Sequence, residues 1–166
     1  DAGPCIVLVN RSTKNHPKRL GLVMTVDLEK FSTIPTNQAP IKASEGSFVD
    51  RVPPRVEMRK DSIMELSNIV LLYDDRKIHI ANNLYERREE LDKLYEFNLN
   101  LDGGKVTGYR VKNVEGMTRL FDQLLTPEYL KETFNTDNEF LFAVADGNQS
   151  LVTAKEHWNN VKKFLN

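Results

Sequence analysis

The chain has 166 residues, 40% of them apolar, which is enough for one sizeable core and short for two independent domains, so a single domain over 1–166 is expected. Its 23 Lys and Arg stand against 24 Asp and Glu, and the formal charge of −1 excludes the global basic field that holds proteins on nucleic acid. A single cysteine, Cys5, excludes an intramolecular disulfide, and no apolar run approaches the roughly 20 residues of a bilayer span.

No Cys/His cluster at metal-ligand spacing exists among His16, His79 and His157, so no structural metal is expected. The cysteine usage points to a reducing, cytoplasmic setting. The chain opens on Asp1 rather than Met, directly ahead of an apolar run, and reads as a piece of a longer product.

Cys5 to Val9 and Leu20 to Leu28 are β-rich, and the polar, basic stretch Arg11 to Arg19 between them predicts a hairpin with a long solvated tip. Phe31 to Pro40, with two prolines, is a connector. In Lys42 to Lys60, Gly46 permits a turn and Pro53 with Pro54 stiffens the chain before an extended segment. Alternation there puts Arg55, Glu57 and Arg59 on one face and Val56 and Met58 on the other, with Arg51 joining the charged side. Arginine forks match phosphate or carboxylate oxygens; the plainer alternative is surface pairing with Glu45, Asp50 and Glu57.

Ile69 to Tyr73 and Lys77 to Ala81 read as two strands of a hairpin, the first central because it is apolar throughout, with His79 facing solvent or a neighbouring strand. Leu84 to Phe97 has the spacing of a surface helix. Asp102 to Gly104 make a turn before a strand over Lys105 to Lys112. Gly116 to Leu125 carries a helical core stripe, and Thr126 with Pro127 starts a second helix that Asn135 to Asn138 end.

The apolar run Phe140 to Ala145 then breaks into Asp146, Gly147, Asn148, Gln149 and Ser150, ahead of a closing helix. That helix turns Leu151, Ala154, Trp158, Val161 and Leu165 inward and Lys155, Glu156, Asn159, Lys162 and Lys163 to water. The fold class is therefore α+β, a mixed, largely antiparallel sheet with helices packed against it.

A strand that delivers a tight polar loop to a helix N-terminus aims unpaired N–H groups and a partial positive charge at one point. With Asp146, Gly147, Asn148, Gln149 and Ser150 in the loop and Lys155 just beyond, such a point can hold a phosphate or a sugar hydroxyl. The blander alternative is that Asp146 or Asn148 caps the helix, a contribution of about 1 kcal/mol. Glu45 and Asp146 are the candidate catalytic carboxylates, since no nucleophile elbow, P-loop, dinucleotide fingerprint or zinc-helix motif is present.

Four ordered blocks, GLVMTVDLEKF, IKASEGSFVDRVPPRVEMRK, LYEFNLNLDGGKVTGYRV and FLFAVADGNQSLVTAKEHW, resemble the bacterial and archaeal domain-of-unknown-function family numbered one thousand and fifteen. The likeness runs from about Leu20 to Trp158 and implies the central portion of a longer protein. One branch of that family carries Asp-Gly-Asn-His-Ser and the other Asp-Gly-His-His-Arg. The second form is remotely similar to the motif of the ParB and sulfiredoxin-like superfamily, which binds nucleotides and includes free serine kinases. Carried onto this chain, the resemblance marks Asp146, Gly147, Asn148, Gln149 and Ser150, together with Glu45, Gly46, Arg51 and Arg55. Where the family has histidine this chain has Gln149, which exchanges hydrogen bonds but cannot titrate near neutrality.

The resulting expectation is a protein that binds a nucleotide, with Mg²⁺, or another phosphorylated small molecule through Arg51, Arg55 and Gly147 to Ser150. It would be a phosphotransferase relative with weakened or lost catalysis. The alternative is a non-catalytic interaction or regulatory module. Nucleic-acid binding is disfavoured by the near-neutral charge and by the lack of a recognition helix.

Overall fold

The structure, a computed structural model, describes residues 3–34, 38–62, 64 and 67–165. In chain order the elements are β1 (Ile6–Ser12), β2 (Arg19–Val23), β3 (Phe31–Ser32), β4 (Ile41–Lys42), α1 (Val52–Arg59), β5 (Val70–Leu72) and α2 (Ile80–Glu86). They continue with β6 (Asp92–Asn98), β7 (Lys105–Val111), α3 (Val114–Leu124), α4 (Pro127–Phe134), β8 (Phe142–Asp146) and α5 (Asn148–Lys162). The class is α+β, as expected, and the chain divides into two compact units, Asp1–Thr25 with Asp75–Gln123 and Val26–Asp74 with Leu124–Asn166.

The first unit holds an antiparallel sheet in the order β2-β1-β7-β6. The β1–β2 hairpin forms as the sequence suggests, with Val9 opposite Gly21. Its basic tip is tied down rather than merely wet: the Arg11 guanidinium donates to the Gly103 carbonyl at 3.0 Å and Lys18 donates to the Asn82 side chain at 3.1 Å. Ile6, Leu8, Ile80, Val111, Met117 and Phe121 form its core.

Two expectations fail in this unit. Lys77 to Ala81 is not a strand, because α2 begins at Ile80 and His79 takes a left-handed conformation (φ 56°) at its start. The helix expected over Leu84 to Phe97 stops at Glu86, and after a 3₁₀ turn at Arg88–Glu90 the chain becomes β6. The pairing partner decides this. Tyr95 lies opposite Gly108 on β7, and its ring fills the space that a Cβ at Gly108 would occupy, so ladder pairing and this cross-strand contact override local helical spacing.

The second unit holds a mixed sheet in the order β3-β4-β8-β5, with β3, β4 and β8 parallel and β5 antiparallel to β8. The expected central strand near Ile69 is in fact this sheet's edge, paired with β8 and not with Lys77 to Ala81; Val70 and Leu72 are exposed accordingly. Phe31, Ile41, Leu130, Phe142, Val144 and Leu151 are among the buried residues of this unit. Of the connector Phe31 to Pro40, Pro35 to Asn37 lie outside the described residues.

The extended segment expected after Pro53 and Pro54 is α1. Both prolines occupy the helix's first positions, where a missing N–H costs nothing and φ near −65° already fits. Thr126 accepts from the Tyr129 N–H and caps α4 as anticipated. Leu165 lies beyond the end of α5 and is exposed, not inward. Among the described residues no helix is long and apolar enough to cross a membrane.

Candidate functional site

β8 runs between β4 and β5 with Phe142 and Val144 buried, and it delivers the chain into α5 through one residue, Gly147. Gly147 is required on two counts. Its φ is 81°, and a Cβ there would lie 2.5 Å from the Asn68 carbonyl oxygen.

The first turn of α5 has no side-chain cap. Among the described residues Asp146 Oδ1 accepts only from the Gly147 N–H, at 2.8 Å, ahead of the helix. The Asn148 side chain turns away, donating from Nδ2 to the Glu45 carbonyl at 3.1 Å. The first intrahelical bond runs from the Leu151 N–H to the Gly147 carbonyl, so the N–H groups of Asn148, Gln149 and Ser150 meet no acceptor among the described residues. The capping alternative therefore does not hold for Asp146 or for Asn148. Asn148 is itself only 6% exposed, and its Oδ1 is buried with no hydrogen-bond partner.

The two blocks singled out by the sequence meet at this turn. Besides the Asn148 to Glu45 bond, Gln149 pairs with the backbone of Phe48 at two points: its Oε1 accepts from the Phe48 N–H at 3.0 Å and its Nε2 donates to the Phe48 carbonyl at 3.3 Å. A carboxamide presents donor and acceptor side by side, as a peptide group does, which an imidazole cannot. Gln149 thereby acts as a latch on the segment that leads into α1. Phe48, which sequence reasoning passed over, is the other half of that latch, and the Arg51 guanidinium stacks 4.5 Å above its ring. Only the FVD letters beside Arg51 hinted at it.

Arg51, the helical-conformation residue just before α1, and Arg55 and Arg59 within it recur at spacings of four and so share one helical stripe although the segment is not extended. Glu57 is off that stripe and pairs with Lys60. Among the described residues the guanidinium groups of Arg51 and Arg55 form no ion pair, so the surface-pairing alternative with Glu45, Asp50 and Glu57 fails for both. The Glu45 carboxylate and the Ser150 hydroxyl likewise meet no partner among the described residues, and Glu45 and Asp146 are exposed.

Lys155 does not belong to the anion-binding group and does not face water. It is half-buried, donating to the Leu28 carbonyl at 2.8 Å and to Glu29 at 3.1 Å. Glu29 also accepts from Trp158 and from Lys162, each at 2.6 Å. The hydrogen bonds from Lys162, Trp158 and Lys155 hold its carboxyl at about 2, well below the ordinary 4.5.

A cavity of about 660 Å³ lies between α1 and α5, lined by Val52, Val56 and Glu57 on one side and by Val152, Lys155 and Asn159 on the other. It does not include Arg51, Arg55 or Asp146 to Ser150. Among the described residues no three His, Cys, Asp or Glu side chains are grouped to hold a metal ion.

A family model described as "Protein of unknown function (DUF1015)" matches residues 1–165. No curated protein matches the chain. No solved structure matches it either, so the remote likeness to the ParB and sulfiredoxin-like superfamily has no structural counterpart to rest on.

Proposed function

The chain belongs to the DUF1015 family, and we propose that its β8–α5 junction binds the phosphate of a nucleotide or of another phosphorylated small molecule. The observation that carries this reading is the first turn of α5, whose three N–H groups have no acceptor among the described residues although the chain itself supplies carboxylates nearby. Such a turn favours an anion through both its donors and its dipole. Arg51 and Arg55, on the segment latched to that turn, supply further charge without an ion pair of their own. The buried Asn148 Oδ1 is an acceptor, which suits a hydroxyl of the same ligand rather than its phosphate.

Glu45 and Asp146 are the groups left to orient a hydroxyl or a metal-bound phosphate. With Gln149 engaged on Phe48 and unable to titrate, the site suits binding better than proton transfer, as in a phosphotransferase relative with weakened or lost catalysis. Titration with ATP, ADP and CTP in the presence of Mg²⁺ should shift the amide resonances of Gly147 to Ser150, and Arg55→Ala should remove the shift. Silence from all three nucleotides would refute the proposal.

A second reading, a non-catalytic interaction module, is favoured by one observation: Phe48 is 61% exposed, Val49 74% and Met58 80%, so apolar side chains face solvent around α1. Gln149→His separates the two. Gain of nucleotide turnover supports the enzyme relative, whereas loss of the Phe48 latch without turnover supports the module.

A further inference from the structure

The first unit contains a cavity of about 590 Å³, within the range of small-molecule sites, between α2, the start of β6, the end of β7 and α3. Its walls are mostly apolar: Leu84, Leu91, Val111, Met117 and Leu120 line it. Five charged residues also line it, and four of them are spoken for. Arg87 is paired with Glu90 at 2.6 Å, and Lys112 with Asp92 at 2.7 Å.

The fifth is Arg110. It feels the charge of Asp92, which it helps to hold below the usual carboxylate range after the larger effect of Lys112, but the hydrogen bond that Asp92 accepts comes from Lys112. Among the described residues the Arg110 guanidinium has no hydrogen-bond or ion-pair partner, and its Nε is buried. A buried guanidinium N–H without an acceptor is costly, and native proteins satisfy such groups. The lining carries three cations and two anions, an excess of one positive charge, in a mostly apolar wall.

We propose that this cavity binds a small amphipathic carboxylate, its head group paired with Arg110 and its hydrocarbon body laid along Leu84, Val111, Met117 and Leu120. A carboxylate offers the planar pair of oxygens that a guanidinium matches, and one negative charge balances the lining. The apolar wall asks for a body of several methylene groups, each worth about 0.8 kcal/mol when buried.

The test is calorimetric and NMR titration of the intact chain with octanoate, octanol and octylamine, below micelle-forming concentrations. Octanoate should bind and shift the amides of Leu84, Val111 and Met117, while octanol should bind at least about tenfold more weakly, the loss of one charge-assisted hydrogen bond. Octylamine should not bind. Arg110→Gln should bring octanoate down to the level of octanol and leave octanol unchanged, and Arg110→Lys should recover only part of the preference. Leu120→Trp, which fills the cavity from a half-buried position, should abolish binding of both while the circular dichroism stays that of the parent. Equal binding of acid and alcohol, an unchanged preference in Arg110→Gln, or no binding of octanoate overturns the proposal.

Discussion

Among the described residues two helices start from a residue in the left-handed conformation, and they differ in their first turns: a carboxylate takes one first-turn N–H of α2, and no side chain takes any of α5. α2 follows His79 at φ 56°, and α5 follows Gly147 at φ 81°. At α2 the chain supplies its own anion. Asp75 accepts the Ile80 N–H on its carboxylate at 2.6 Å, while its carbonyl takes the N–H groups of Ile78 and His79. At α5 a carboxylate is also close, on Asp146, but it is spent on the Gly147 N–H ahead of the helix, and the next three donors are left open. α3 and α4 resemble α2 in this respect, with Asn113 accepting from Gly116 and Thr126 from Tyr129. A helix start with a side-chain acceptor of its own has one place fewer for an outside anion; the α5 turn has none, which is what the proposed phosphate site rests on.

The largest effect expected on this comparison comes from the left-handed residues themselves. Gly147→Ala must place a Cβ against the Asn68 carbonyl in a conformation that L-residues resist, and it should cost about 2–4 kcal/mol in a denaturant melt. His79→Gly relieves strain at α2 and should hold or raise stability, by up to about 1 kcal/mol. Equal losses from the two would mean that the close approach of Asn68 does not distinguish them.

The carboxylates come next. Asp75→Ala removes the acceptor of a helix N–H and should cost about 1–2 kcal/mol. Asp146→Ala touches no N–H within α5 and should stay within about 0.5 kcal/mol of the parent. If Asp146→Ala proves as damaging as Asp75→Ala, Asp146 is a cap after all and the open turn is lost as an argument.

Much of this contrast was legible in the letters, because it rests on local chemistry. The run FLFAVA followed by Asp-Gly marks a strand, a left-handed turn and a helix start, and Thr126 with Pro127 marks another helix start; both stand in the structure. What stayed hidden depends on partners far along the chain. Leu84 to Phe97 has helical spacing, yet β7 draws Asp92 to Asn98 into a strand across the turn at Leu101 and Asp102. The alternation of apolar Tyr95, Phe97, Leu99 and Leu101 with polar Glu96, Asn98 and Asn100 ahead of Asp-Gly-Gly was the available signal for that hairpin. Pro53 and Pro54 stiffen an extended chain and start a helix equally well, and packing against α5 chooses the helix. In the site, the residue types were readable and their wiring was not. The Gln149 latch reaches 101 positions back to Phe48, and Lys155 looked solvated because Glu29 lies 126 positions away.

The smallest effect concerns the second half of α5, where one carboxylate gathers three donors of the helix. Glu29 gathers Lys155, Trp158 and Lys162, which lower its carboxyl to about 2 from an ordinary 4.5. A carboxyl with a depressed folded-state value contributes stability that is fully present above 4.5 and is lost as pH falls through about 2. Trp158 is the single tryptophan and donates to Glu29, so its emission should change as pH falls through about 2 and stay flat above 4.5. Glu29→Gln should abolish that acid transition, and a variant that still titrates in the same window would show that Glu29 is not its origin. The same variant should leave any nucleotide-induced shifts of Gly147 to Ser150 intact at neutral pH, because the grip on Lys155 and Trp158 lies beyond the first turn proposed to meet the phosphate. Loss of those shifts would join the anchored and the open ends of α5 into one device and end the distinction between them.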